Sequence, residues 1–325
     1  VFNDDVSLLV WTTTPWTLPL NRGVCIKKDG VYLLIEATNG AKLLIGKYCL
    51  EHVMQSTNQE YTIVKEYKAD DLQGLFAQHP FDPDYKTPLL LEVSVEDKEG
   101  TACVHNAPGC GPLDYEIGIK NGLEVYSPVD NTGNYTRAIV PQELLGKKVT
   151  TVNDEIIALL DQKNILWHKS SLMHSYPHCW RCRQGLIFRA TAQWFFKLDH
   201  DNLKNKCMDS IQKDITYVPK TGKQAFGATL TNRWEWCISR QRTWGVPIPA
   251  LINQHDSNST FISSSFINAI AHQVEQKGIE YWDEVTVDDL RKQGLVPKDC
   301  EHMIKEKDIL DVWFESGVRS EERRV

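Results

Sequence analysis

The sequence predicts a mixed α/β fold whose first half, residues 1–168, is rich in strands. Two observations lead to this prediction. Short aliphatic and β-branched runs alternate with turn residues in the first half, whereas apolar residues at helical spacing become frequent only after residue 150. The chain has 325 residues, of which 42% are hydrophobic and 24% charged, and this is the balance of a globular protein with two or three domains.

The first half contains five runs that predict strands and three segments that predict helical structure. The strands are expected over Val6–Val10, Val31–Ala37, Lys42–Ile45, Tyr61–Tyr67 and Leu89–Val95. A short helix is expected over Asp114–Asn121, a helical turn just before Gly146, and a longer helix over Asn153–Lys163.

The second half predicts more helix than strand. Helices are expected over Leu203–Ile215, Ile267–Gly278 and Thr286–Lys292, the last with Thr286 as its N-terminal cap. Trp236–Ser239 and Ile309–Trp313 are short apolar runs that fit buried parallel strands, although periodicity does not decide between strand and helix for runs this short.

Composition excludes several classes of protein. The sequence has no run of 18 apolar residues, so we expect no membrane-spanning helix, and its acidic start lacks the apolar segment of a secretory signal. Nine cysteines, an odd number, favour reduced thiols and a cytoplasmic protein over a disulfide framework. Because the sequence does not start with Met, we expect it to be part of a longer protein.

The charge is unevenly distributed along the chain. The net charge of −7 alone argues against a nucleic-acid partner. Residues 1–168 and 250–325 carry −9 and −6, however, whereas residues 169–249 carry +8. A basic centre of this kind attracts a polyanion locally, and a solvated face with extra lysines explains it equally well.

The most unusual segment is WTTTPWTLPLN at residues 11–21. Pro15 pushes Thr14 towards an extended conformation, so the segment cannot form a regular helix. A kink there would present several hydroxyls and backbone N–H groups to one point, where they would hold a water or a carbonyl oxygen. On the residues alone, the end of an ordinary strand is the favoured explanation.

A second segment, GTACVHNAPGCGPLDY at residues 100–115, joins a strand to a helix through a loop rich in Gly and Pro. We expect His105 at the strand end and Asp114 at the helix start, an arrangement that aims an imidazole and a carboxylate at one cavity. A carboxylate there would bind an ammonium group through a charge-assisted hydrogen bond. Taken singly, Asp114 is better explained as a helix cap and His105 as a buried strand histidine.

Together the two segments resemble the editing domain of class I aminoacyl-tRNA synthetases, and in particular the bacterial-type isoleucyl branch. The signature WTTTPWTLP of that branch matches residues 11–19 without a gap, whereas valyl and leucyl relatives have TTRP there. The second signature matches residues 100–115, with Ala102 in place of a Gly and Leu113 in place of an Asp. The Asp that the family uses is present as Asp114.

The resemblance continues to residue 317. Residues 236–249 are similar to the segment that re-enters the family's Rossmann catalytic core, and residues 308–317 to a further core strand, with Glu315 where Asp is usual. This implies a barrel-like editing domain at 1–168, a basic connector at 169–232, and a partial Rossmann core at 233–325 with a helical insertion at about 250–306. The family's two ATP-binding motifs are not found here, so we do not expect this chain to activate an amino acid.

Cys179 and Cys182 form a C-x2-C pair, which is half of a zinc ribbon. Some members of the family complete such a site with a second pair upstream of the editing domain. His174 and His178 are the alternative ligands, but we expect an empty half-site, so zinc stays an open question. The arginines and aromatic residues around the pair would contact RNA, or they form a solvated basic connector.

The resemblance implies hydrolytic proofreading of mischarged Val-tRNA(Ile), as part of an isoleucine–tRNA ligase. Its catalytic candidates are Thr12, Thr13, Thr14, His105 and Asp114, and its substrate-binding candidates are Trp16, Thr17 and Asn21. Asp114 would bind the α-ammonium group, and the threonines would hold the attacking water or the terminal adenosine.

The resemblance also implies partners and cofactors. We expect tRNA(Ile) and a valyl-adenosine moiety as ligands, a monomer without membrane association, no cofactor for editing, and ATP only in the full-length parent. General-base help would come from His105 or from a tRNA hydroxyl. The alternative function is a non-catalytic fragment that positions tRNA.

Overall fold

The computed structural model describes residues 6–233, 235–254, 259–297 and 302–319. The chain divides into two compact units, one ending at Thr191 and the other starting at Ala192. The domain limits drawn from the sequence remain predictions.

The first unit contains two four-stranded sheets and three α-helices within the described ranges. Its strands are β1 (Val6–Leu8), β2 (Gly23–Lys27), β3 (Val31–Ala37), β4 (Lys42–Gly46), β5 (Tyr61–Lys68), β6 (Phe76–Gln78), β7 (Lys86–Glu92) and β8 (Cys103–Asn106). Its helices are α1 (Leu50–Thr57), α2 (Pro112–Lys120) and α3 (Asn153–Gln162).

The two sheets have the strand orders β1-β4-β3-β5 and β6-β7-β2-β8. The mixed α/β class is therefore confirmed, and among the described strands the sheets stay open instead of closing into a barrel. The strand expected over 89–95 lies at 86–92, and β2 was not predicted although it is central to its sheet. Its five residues, GVCIK, are too few to show a period.

The segment after β1 is held in place by its own apolar residues. A 3-10 helix at Pro15–Leu20 buries Trp16 and Leu20 in a core that also contains Ile139, Leu144 and Ile156. Proline at the first helical position fits because its missing N–H would be unpaired there in any case. The apolar half of the segment thus anchors it, which leaves the threonines before it at the surface of this core.

The second unit is built from short strands and six helices within the described ranges. The strands are β9 (Phe195–Lys197), β10 (Glu235–Cys237), β11 (Ser239–Arg240), β12 (Leu251–Asn253), β13 (Thr260–Phe261), β14 (Met303–Lys305) and β15 (Ile309–Leu310). The helices are α4 (Leu203–Lys213), α5 (Gly222–Thr231), α6 (Ser264–Lys277), α7 (Glu280–Glu284), α8 (Val287–Lys292) and α9 (Val312–Arg319).

Two expectations for this unit have different outcomes. Thr286 caps α8, because its hydroxyl accepts from the Asp289 N–H at 3.1 Å, as predicted. The runs at 236–239 and 309–313 were expected to be parallel strands, but their described parts pair antiparallel, β10 with β9 and β11 with β15. The chain enters α9 at Val312, so the second run is a two-residue strand followed by a helix.

Candidate active site

The threonine-rich segment forms a hydrogen-bonded turn between β1 and the 3-10 helix. The Thr14 N–H donates to Thr12 Oγ1 at 3.1 Å, and the Thr17 N–H donates to the Thr14 carbonyl at 3.0 Å. The Thr17 hydroxyl donates to the same carbonyl at 2.8 Å. Thr14 has φ −126° and ψ 73°, so it is non-helical, as the following proline requires. We call residues 12–17 the threonine turn.

His105 joins the threonine turn from a distant part of the chain. It lies on β8 opposite Val24 of β2, and it is only 9% exposed. Its Nε2 lies 3.0 Å from Thr17 Oγ1 and 3.5 Å from Thr12 Oγ1. Burial lowers the pKa of this imidazole from 6.5 to about 4, so the ring is neutral at physiological pH.

Asp114 lies in the first turn of α2, where the helix dipole favours a negative charge. Its Oδ1 accepts from the backbone N–H of Ala107 at 3.1 Å. Partial burial raises the pKa of the carboxyl group, and the Ala107 N–H opposes that rise. A Cβ at Gly111 would stand 2.7 Å from Asp114 Oδ2, so the glycine leaves room for the carboxylate.

The threonine turn, His105 and Asp114 line one cavity of about 360 Å³. This volume is at the lower end of ordinary ligand pockets. Six of the eight candidate residues line the cavity: Thr12, Thr13, Thr14, Thr17, His105 and Asp114. The structure thus brings together side chains that lie about a hundred residues apart in sequence.

Trp16 and Asn21 are not among the residues that line this cavity. Trp16 is 6% exposed and packs in the core, while its N–H donates to Asn153 Oδ1 and its carbonyl accepts from the Tyr135 hydroxyl. Asn21 is 3% exposed, donates to the Gly23 carbonyl and accepts from Thr87. Trp16 thus anchors the 3-10 helix in the core, and the Asn21 side chain ties the end of that helix to the start of β2.

Sequence reasoning missed several residues that also line the cavity. Trp11, Glu96 and Glu99 lie along it, together with the thiols of Cys25 and Cys110. Burial raises the pKa of both thiols to about 12, so they are protonated and poor nucleophiles. Trp11 begins the first signature, which was a usable signal, whereas nothing in the sequence marks the two glutamates.

The loop before β8 contains Ala102, which stands where the family signature has a Gly. Ala102 has φ +57° and is 2% exposed, so an L-residue occupies a left-handed position inside the core. Gly100, at φ +58°, is needed for a second reason, since a Cβ there would stand 2.8 Å from the Trp11 ring. The alanine at position 102 therefore strains the backbone next to the candidate site.

The cysteine pair lies on a separate hairpin of the first unit, which we call the cysteine hairpin (residues 174–186). The Cys179 N–H donates to the Gln184 carbonyl at 2.8 Å, and the Arg183 N–H to the Cys179 carbonyl at 2.9 Å. Backbone N–H groups of Cys182 and Arg181 lower the pKa of the Cys179 thiol. His174 and His178 each turn Nδ1 to a backbone carbonyl instead.

This arrangement does not amount to a complete zinc site. Structural zinc takes four ligands, and the hairpin offers two thiols. Among the described residues, no group of three or more His, Cys, Asp or Glu side chains is placed to hold a metal ion. Cys300 lies outside those residues.

Comparison with known proteins shows the family of this chain. The family model described as tRNA synthetases class I (I, L, M and V) matches residues 53–322, which is most of the chain. The chain belongs to this family.

Isoleucine–tRNA ligases are among its similar relatives. That of Desulfovibrio desulfuricans is 37% identical over 315 residues, covering 95% of this chain and 33% of the relative. That of Brachyspira hyodysenteriae is 37% identical over 322 residues, covering 97% and 34%. This class I chain spans about a third of the length of these relatives.

Solved structures with some likeness are editing domains of leucyl-tRNA synthetases. The GlLeuRS-CP1 structure overlaps with a TM-score of 0.41 and 18% identity, covering 51% of the class I chain and 85% of that structure. The Plasmodium knowlesi cytosolic leucyl-tRNA synthetase editing domain gives 0.39 and 11%, covering 57% and 84%. Overlaps this loose carry no argument about function. None of the helices in the described ranges has the length and apolar character needed to cross a bilayer.

Proposed function

We propose that the first unit of this chain hydrolyses the ester bond of Val-tRNA(Ile) and releases valine and tRNA(Ile). An apolar pocket separates isoleucine from valine by only about 1–3 kcal/mol, a limit for which isoleucyl enzymes are the standard example, so a second hydrolytic site is needed. The observation that supports this proposal is the convergence of the threonine turn, His105 and Asp114 on one cavity.

Asp114 is the group that would bind the substrate's α-ammonium. Its Oδ1 accepts from the Ala107 N–H, which fixes the carboxylate beside the cavity. A charge-assisted hydrogen bond from an ammonium to such a fixed carboxylate is roughly twice as strong as a neutral one. The bond would place the ester carbonyl at a constant distance from the threonine turn.

The threonine turn would hold the attacking water. The Thr14 hydroxyl lies 3.3 Å from the hydroxyl of Thr12 and 3.3 Å from that of Thr17, whereas the hydroxyl of the exposed Thr13 makes no hydrogen bond among the described residues. Thr13 is thus free to donate to the water or to the developing oxyanion. His105 Nε2 lies 3.0 Å from Thr17 Oγ1, but the burial that lowers the pKa of this imidazole to about 4 makes it a poor base for activating a hydroxyl, so we propose direct attack by water.

The reaction needs no cofactor in this proposal, because an aminoacyl ester is already activated towards water. ATP would serve amino-acid activation by the whole protein, and a zinc ion at the cysteine hairpin would have a structural role. The partners would be tRNA(Ile) and its valyl-adenosine end, with the chain acting as a monomer in the cytoplasm.

The test is deacylation by the chain itself. Purified protein is mixed with Val-tRNA(Ile) and with Ile-tRNA(Ile) in single-turnover experiments, and loss of the ester is followed against buffer alone. We expect the valyl ester to disappear much faster than the isoleucyl ester. Equal rates for both esters would contradict the proposed selectivity for the valyl ester. Rates equal to those in buffer would contradict the proposed hydrolytic function.

A second function, tRNA positioning without cleavage, is favoured by the cysteine hairpin. Trp180 is 76% exposed, and the guanidinium of Arg181 lies 4.9 Å from its ring centroid. Exposed aromatic rings with arginines are the parts of single-strand RNA sites. If the chain binds tRNA(Ile) with salt-dependent affinity but leaves Val-tRNA(Ile) intact, this second function replaces the first.

A further inference from the structure

The direction of one hydroxyl proton decides what His105 can do. The Thr17 hydroxyl has a single proton, and it donates that proton to the Thr14 carbonyl, with 2.8 Å between the oxygens. A carbonyl oxygen can only accept, so the direction of this bond is fixed. The Thr17 oxygen therefore acts as a hydrogen-bond acceptor towards any further partner.

Two further groups lie within reach of the Thr17 oxygen, the Thr14 hydroxyl at 3.3 Å and the imidazole of His105. Its Nε2 lies 3.0 Å from Thr17 Oγ1, a normal length for an N–H donor and an oxygen acceptor. With the Thr17 proton given to the Thr14 carbonyl, the bond between Thr17 Oγ1 and His105 takes its proton from Nε2. In a neutral imidazole, Nδ1 is then the unprotonated nitrogen.

Nδ1 has no access to the cavity. It is buried from solvent and has no hydrogen-bond partner among the described residues. A general base must reach the water from which it takes a proton, within about 2.6–3.2 Å or through one water. The basic nitrogen of His105 thus faces away from the substrate space, and the nitrogen that faces the threonine turn is already protonated.

We propose that His105 is a positioning residue in this deacylation: it donates a fixed Nε2–H bond to Thr17, holds the threonine turn in shape, and takes no proton from the attacking water. This inference rests on the proposed function and assigns part of its mechanism. General-base help then falls to a group on the substrate, with a tRNA hydroxyl as the one that the reaction supplies.

The charges around the ring agree with a neutral donor. Asp114 of α2 and Glu96 and Glu99 of the loop before β8 line the same cavity, and His105 contributes to lowering the pKa of the buried His79. Despite the three carboxylates, burial keeps the pKa of His105 at about 4. Deacylation at neutral pH therefore has a neutral imidazole available in the proposed tautomer.

The first test reads the tautomer without any catalysis. Long-range proton–nitrogen NMR spectra of the whole chain, labelled at histidine, distinguish a protonated Nε2 from a protonated Nδ1. We expect His105 to be protonated at Nε2 in the wild-type chain and to lose that preference in Thr17→Val. A wild-type imidazole protonated at Nδ1 overturns the proposal, whether or not the chain cleaves Val-tRNA(Ile).

The second test separates positioning from base catalysis by rates. His105→Gln keeps an N–H donor without a basic nitrogen, whereas His105→Phe keeps neither. We expect the Gln variant to stay within about fivefold of wild-type kcat/KM and the Phe variant to lose about 10–100-fold, an energy of about 1.4–2.7 kcal/mol. Equal losses in both variants overturn the proposal, provided that urea unfolding shows both to be folded.

The third test asks whether His105 acts through Thr17. Thr17→Val removes the acceptor, so adding His105→Phe to it should cost nothing more, because both changes break the same bond. A base that acted on water directly would still be lost in the double variant, and the two losses would then multiply. If the fold-losses in kcat/KM of the two single variants multiply in the double variant, the positioning role is contradicted.

Discussion

The candidate active site and the cysteine hairpin are both marked by short motifs in the sequence, but they differ in whether distant segments of the chain join them. The threonine turn shares one cavity with His105 and Asp114, which lie about ninety residues later in the sequence. Cys179 is held by backbone hydrogen bonds within its own hairpin, to Gln184 and from Arg183. A motif therefore indicates chemistry here only where distant segments supply the remaining groups.

The cavity also differs from the hairpin in what fixes its polar groups. His105 is buried and bonded to a buried Thr17, so moving one side chain disturbs several others. The hairpin is exposed, and backbone hydrogen bonds set its shape, so its side chains can change independently. Substitutions should thus have large effects at the cavity and small ones at the hairpin.

The largest effect is expected at Asp114. Asp114→Ala removes the only carboxylate on α2 that lines the described cavity, and losing one partner of such a charged pair costs about 2–5 kcal/mol. Deacylation of Val-tRNA(Ile) should then fall by about 30-fold or more in kcat/KM. Glu116→Ala, on the same helix but outside the cavity lining, is the matched control and should retain the wild-type rate. A similar loss in both variants would mean that Asp114 has no particular role.

The next effect is on stability in acid. His79 and His105 are buried, and burial lowers the pKa of each from 6.5 to about 4. Below pH 6.5 the unfolded chain takes up protons that the folded chain does not, so stability is lost as the pH falls from 6.5 to about 4. Each imidazole contributes a loss of about 3 kcal/mol. The raised pKa of Asp114 works the other way in acid and offsets part of this loss.

Urea unfolding of the whole chain at a series of pH values checks this prediction. In wild type the free energy of unfolding should drop steeply below pH 6.5, and in His105→Gln the drop should be smaller by the share of one imidazole. An equally steep drop in both would show that His105 is not buried in its neutral form.

A smaller effect is expected where the sequence departs from the family. Ala102→Gly removes a Cβ from a residue at φ +57°, which relieves about 1–2 kcal/mol of backbone strain. It also removes one buried methyl group, which costs about 0.8 kcal/mol of stability. The variant should therefore unfold at a higher urea concentration, with a net gain of up to about 1 kcal/mol.

Ala69→Gly is the control for that gain. Ala69 is fully buried, like Ala102, but it is not among the residues with positive φ. The methyl group is lost there without any relief of strain, so this variant should be less stable than wild type by about 1 kcal/mol. A loss of stability in both variants would show that position 102 is not strained.

Much of the site could be predicted, and the misses have physical reasons. His105 and Asp114 were placed together because a strand end and a helix start that share one short loop must lie close in space. Trp16 and Asn21 were expected to touch substrate, yet both support the backbone from the core side. A motif lists the residues that a site needs without saying which face the cavity, since a buried support is as restricted as a ligand.

The fold shows the same division. β3 and β5 were placed to within one residue, because runs rich in aliphatic, β-branched and aromatic residues mark them. β7, which also has seven residues, begins and ends three residues earlier than expected. The short β2 was missed, and the parallel pairing expected in the second unit was wrong, because two- and three-residue strands carry no signal of their partners. Ala102 could be named as a departure but not as strained, since its φ is set by the loop.

The smallest effect is expected at the cysteine hairpin, and it completes the comparison. Cys182→Ser leaves the backbone bonds of Cys179 to Gln184 and Arg183 intact, so the free energy of unfolding should change by less than about 0.5 kcal/mol. Deacylation by this variant should match wild type, and so should deacylation after treatment with a zinc chelator. A marked loss in either experiment would show that further ligands complete a metal site around the two thiols, which would make the hairpin, like the cavity, a place where distant segments meet.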